Sequence, residues 1–84
     1  MHIEQARSLY NADIDIGVVT ALPAIDRYAI SVTGAVGHSG TTPMDGRKDA
    51  LVCASGIIQK ISTLAHDIAI RSNQHFVATI GKLD

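Results

Sequence analysis

A single cysteine, Cys53, occurs in the 84 residues, so no disulfide forms within the chain and a cysteine-rich zinc module is excluded. Tryptophan is absent, and one Phe and two Tyr leave few aromatic platforms on which single-stranded bases could stack. An excess of either charge is also missing. Seven Lys and Arg stand against eight Asp and Glu, for a net charge of -1. That balance excludes a polybasic nucleic-acid arm and an acidic tail. No apolar run is long enough for a membrane span. Ala50 to Ala69, the longest apolar-biased stretch, is broken by Gln59, Lys60, His66 and Asp67, whereas a span needs about 20 mainly apolar residues. Met1-His2-Ile3-Glu4-Gln5 carries no basic region followed by an apolar run, so a signal peptide is not expected at this end. A free thiol without a signal points to the cytoplasm.

What is present is enough apolar material for order. Hydrophobic residues make up 46% and charged residues 18%, which is not the composition of a disordered chain. The length allows one small domain. Ordering it costs on the order of 100 kcal/mol of conformational entropy, and a domain of this size buries only roughly 60–65% of its unfolded surface. A face intended for another domain would therefore leave the chain marginal.

Hydrophobic patterning predicts strands at Ile16–Leu22 and Arg27–Thr33, separated by Pro23, and a further strand at Phe76–Ile80. In the second of these, Tyr28, Ile30 and Val32 alternate with Ala29, Ser31 and Thr33, giving one buried and one more polar face. A glycine-rich loop, Gly34 to Asp45, follows. Leu51, Ala54, Ile58, Ile61 and Ala65, widened by Ala50, Ile57 and Leu64, then form the stripe of a core-facing helix from about Gly46 to Asp67. Asp45 is its expected N-cap, with Asp49 in the first turn. Gly56, inside that helix, suggests close packing, and Cys53 reads as a small buried residue. The order predicts an α+β fold: a partial ferredoxin-like layer of strand, helix and strand, preceded by a further strand.

The residues themselves assign little chemistry. Gly34-Ala35-Val36-Gly37-His38-Ser39-Gly40 lacks the ending of a phosphate loop and the spacing of a dinucleotide fingerprint. It also fails as a nucleophile elbow, since Thr41 stands where the last glycine should be. What is left is either a loop presenting His38, or an ordinary turn with an exposed histidine. On composition alone the ordinary turn is favoured. His2 and Glu4 share a strand-face spacing suited to a metal, but one such pair is weak without further ligands. His66 and His75 read as surface residues.

Four runs in fixed order go further: His2-Ile3-Glu4-Gln5, Ile16-Gly17-Val18-Val19-Thr20, Gly37-His38-Ser39-Gly40-Thr41-Thr42-Pro43-Met44 and Arg47-Lys48-Asp49-Ala50-Leu51. Together they resemble the N-carbamoyl-L-amino-acid hydrolase, allantoate amidohydrolase and β-ureidopropionase family, a branch of the dinuclear-metal aminoacylase and carboxypeptidase superfamily. The resemblance covers nearly the whole chain, as a fragment of a longer enzyme. It implies two divalent metal ions, usually zinc and sometimes manganese or nickel. It also implies a small carbamoyl or ureido substrate whose C–N bond is hydrolysed, and a homodimer formed through a lid domain. Residues 1–25 would be the end of the first half of the catalytic domain, and residues 26–84 part of the lid. His2 would be a metal ligand and Gln5 would bind substrate. His38 would act at the partner's active site on the scissile carbonyl, binding substrate and stabilising the oxyanion. The family usually has Gly after that Gln; here it is Ala6, which a positive φ would strain. The general-base glutamate and the other metal ligands lie outside these residues, so the chain alone is expected to be inactive. The alternative is a non-catalytic α+β interaction module derived from the lid.

Overall fold

The structure is a computed structural model that describes residues 1–84. It contains a short helix α1 (Ser8–Asn11), a 3₁₀ turn (Met44–Gly46) and a long helix α2 (Ala50–Ser72). There are no strands, and the α+β expectation is overturned. Ile16–Leu22, Arg27–Thr33 and Phe76–Ile80 form no ladder, and no sheet lies under α2. The preference of these stretches for strand is a preference for a half-buried, pleated surface. Here no layer covers them. Val18, Tyr28 and Ile30 are 89%, 84% and 61% exposed, and no residue in the chain is buried.

The dimensions agree. The radius of gyration is 20.0 Å, against about 12 Å for a compact chain of this length and about 29 Å for an unfolded one. The accessible surface is 8476 Å², where a compact protein of this mass exposes roughly 4,800 Å². No two elements pack on each other. Of 29 backbone hydrogen bonds, 19 lie within the helices, so order outside them is confined to turns and loops.

Helix α2 holds through its own ends. Asp49, not Asp45, is the N-cap: its carboxylate accepts from the amides of Leu51 (2.9 Å) and Val52 (3.2 Å). That satisfies two of the donors every helix start leaves open. Asp45 instead lies in the 3₁₀ turn that follows Pro43. At the other end Asn73 takes the left-handed conformation (φ 51°, ψ 29°) and stops the helix, with Arg71 in the last turn where the dipole favours a cation. At 23 residues the helix exceeds the length at which isolated helices are marginal. Its apolar stripe is the predicted one in part. Ala54, Ile57, Ile58, Ile61 and Ala65 are partly covered, whereas Leu51 and Leu64 are 64% and 58% exposed. Cys53 is exposed rather than buried, and a Cβ on Gly56 would meet nothing within 4 Å. Gly56 therefore marks no close packing.

The first residues form a second local unit. Both carboxylate oxygens of Glu4 accept amide protons at the start of α1, from Ser8 (2.7 Å) and Leu9 (3.0 Å). The chain then reverses at Asp13 (φ 55°), and the Ile14 amide bonds the Leu9 carbonyl. The Leu9 side chain lies over Gly17. No helix of the chain is long and apolar enough to cross a membrane.

Candidate active site

Between Gly34 and Asp49 the chain makes a closed loop. The Ala35 amide donates to the Lys48 carbonyl at 2.9 Å, bringing the two ends together. Loops of this kind, with adjacent ends and an interior filled by their own side chains, are compact surface units. Two glycines are required by close approach. A Cβ on Gly34 would collide with the Lys48 carbonyl and lie 2.9 Å from the Ala50 nitrogen. A Cβ on Gly37 would lie 2.8 Å from Thr42 Oγ1.

Arg47 fills the interior. Its Nη2 donates to three carbonyl oxygens: Thr42 at 2.8 Å, Ser39 at 3.0 Å and His38 at 3.3 Å. Its Nε is shielded and has no partner. The Thr42 amide in turn bonds the His38 carbonyl at 3.2 Å. With the carbonyls drawn inward, the amides of Gly40 and Thr41 turn to the imidazole of His38, which accepts both at Nδ1 (3.1 and 3.2 Å). A nitrogen that accepts carries no proton, so the neutral ring holds its proton at Nε2. His38 is exposed, and that N–H is its remaining donor. The hollow of about 450 Å³ between the loop and the start of α2 is lined by Gly34, Gly37, Thr42, Arg47 and Asp49 among others, but not by His38.

His2 has the opposite tautomer. Its Nδ1 lies 2.6 Å from the Ile3 carbonyl oxygen, which can only accept, so Nδ1 is protonated and Nε2 keeps its lone pair. A metal-ligating histidine commonly makes such a bond to a backbone carbonyl with its other nitrogen. Glu4 does not join it as a ligand; its oxygens are spent on α1. No group of three or more His, Cys, Asp or Glu side chains comes together that could hold a metal. The residues present do not make a metal centre. Gln5 is exposed and makes no side-chain hydrogen bond, and no hydrogen bond links His2, Gln5 and His38. Ala6 is not among the residues of positive φ, so it is unstrained. His66 and His75 are exposed, as their sequence positions suggest.

Sequence reasoning did not single out Arg47 as the side chain that holds this loop. Its place in the Arg47-Lys48-Asp49-Ala50 run was the signal, but a side chain that binds carbonyls nine positions back leaves no periodic trace.

Comparison with known proteins supplies the class. No family model matches the chain, and no solved structure matches it. Curated amidohydrolases do. The N-carbamoyl-L-amino-acid amidohydrolase of Paenarthrobacter aurescens is 39% identical over 83 residues, 99% of this chain and 19% of that protein. The allantoate amidohydrolase of Bacillus subtilis (strain 168) is 36% identical over 74 residues, 88% of this chain and 16% of that protein. The allantoate amidohydrolase of Escherichia coli (strain K12) is 34% identical over 84 residues, 100% of this chain and 20% of that protein. The chain belongs to the family of N-carbamoyl-L-amino-acid and allantoate amidohydrolases, and it spans about a fifth of the length of these relatives.

Proposed function

We propose that the chain is the part of an amidohydrolase that supplies an oxyanion donor to a carbamoyl or ureido substrate. The observation that carries this reading is the double amide bond to Nδ1 of His38, which leaves Nε2–H as an exposed donor. When water attacks the substrate's carbonyl carbon, the C=O π pair moves to oxygen and a negative charge appears there. A donor already aimed at that oxygen stabilises the tetrahedral state more than the ground state. Collapse of that state breaks the C–N bond, and the leaving nitrogen takes up a proton. The relatives' names supply the substrate class, N-carbamoyl-L-amino acids or allantoate.

The other assignments form part of the same reading. Residues 1–25 belong to the catalytic unit and residues 26–84 to a lid that pairs two subunits. His2 offers Nε2 as one ligand of a two-metal centre of zinc, or of manganese or nickel. The remaining ligands come from outside these residues. Gln5 contacts the substrate, and His38 serves the partner's site.

The test uses a full-length amidohydrolase carrying this segment. His2→Ala is expected to lower metal content and activity together. His38→Ala is expected to leave metal content intact and lower activity by about 10²–10³, the usual loss for one oxyanion donor. Mixing the two inactive variants should restore activity, because one hybrid site combines an intact His2 with the partner's intact His38. Full activity in His38→Ala overturns the donor role. No recovery after verified subunit exchange overturns its action across the dimer.

A further inference from the structure

We infer that Arg47 is a positioning residue for His38: by binding the carbonyls of His38, Ser39 and Thr42 it fixes the loop in which the imidazole holds its proton at Nε2. The inference rests on the proposed donor role of His38 and extends it to a residue that touches no substrate.

The argument follows the polar groups of the loop. A peptide unit's carbonyl and amide point in opposite directions, so fixing one aims the other. Arg47 Nη2 takes the Ser39 carbonyl at 3.0 Å. The amide of that same peptide unit belongs to Gly40, and it donates to His38 Nδ1 at 3.1 Å. The Thr41 amide adds a second bond at 3.2 Å. One guanidinium therefore sets the orientation of a peptide plane whose other side selects the tautomer of the ring. The grip is completed at the Thr42 and His38 carbonyls. Arg suits this task because its planar, permanently charged group needs no counter-ion geometry to be a donor, and hydrogen bonds from a charged donor are stronger than neutral ones. No carboxylate competes for it; the ion pair in the chain is Lys82 with Asp84.

A residue acting through another has a distinct signature: its effect disappears when the other is gone. In the full-length amidohydrolase carrying this segment, Arg47→Ala is expected to lower kcat by about 10–10²-fold, below the loss proposed for removing the donor itself. The change in KM is expected to stay under threefold. In the His38→Ala background the same substitution is expected to change kcat by less than twofold. Arg47→Lys, which keeps a cation and three donors, is expected to regain at least a third of the lost activity. Thermal melting establishes that each variant is folded; where Arg47→Ala is not, Arg47→Lys against His38→Ala makes the same cycle. An undiminished loss in the His38→Ala background overturns the inference, as does an Arg47→Ala enzyme of normal kcat. If instead His38→Ala itself is fully active, the donor reading falls first and this inference with it.

Discussion

The Ala35 amide and the Lys48 carbonyl meet at 2.9 Å, so the loop that carries His38 begins and ends at one point on the threshold of α2. The stretch between them is thereby tied to a helix start, and the helix start is itself held by Asp49.

The closure depends on the absence of a side chain at Gly34. Gly34→Ala is expected to destabilise the loop by about 1–3 kcal/mol, the usual cost of forcing atoms into a packed site. Gly46→Ala, where a Cβ meets nothing within 4 Å, should leave the closure intact. Hydrogen exchange at the Ala35 amide distinguishes them. Equal protection in both variants would refute the close approach.

Asp49 can be tested in the same way. Asp49→Ala should cost about 1 kcal/mol of helix stability, and Asp49→Asn a few tenths, since Asn caps nearly as well. The measurement is helix content by far-ultraviolet circular dichroism. An unchanged spectrum in Asp49→Ala would return the cap to Asp45.

Gly56 gives a prediction of opposite sign. With open space around it, Gly56→Ala should raise helix stability by about 1 kcal/mol, the difference between the two residues' helix propensities. A loss of helix content would reveal a packed neighbour at that position.

Ile58 separates a packed helix from an uncovered one. In a buried stripe Ile58→Ala would cost about 2–5 kcal/mol. Ile58 is only partly covered and nothing in the chain is buried, so the expected change is within about 0.5 kcal/mol. A thermal or denaturant melt decides it, and a loss above 2 kcal/mol would contradict the exposure of this face.

Legibility in the sequence followed the range of the interaction. The stripe through Ala54, Ile57, Ile58, Ile61 and Ala65 is a local period, and a helix is there. Its start was misplaced because two aspartates compete: Pro43 directs Asp45 into a 3₁₀ turn and leaves the cap to Asp49. The strands failed for another reason. Alternation at Tyr28, Ile30 and Val32 states which face could be buried, not that a partner is present to bury it; Tyr28 and Ile30 stay exposed and Val32 is only partly covered. The glycines around His38 showed a loop but favoured an ordinary turn, and only the family resemblance gave that histidine a role. The tautomer was not legible, because it depends on which way the Gly40 and Thr41 amides turn, and Arg47 controls that from nine positions away.

The loop from Ala35 to Lys48 has a thermodynamic consequence. Fixing backbone costs about 1–2 kcal/mol per residue in conformational entropy, and a loop that orders only when a ligand arrives subtracts that cost from binding. Here the Ala35–Lys48 bond and the Arg47 grip, both within the chain, offset part of that cost. Under the proposed donor role, a substrate at His38 would meet a ring already set by the Gly40 and Thr41 amides, and less of its binding energy would go into ordering the loop.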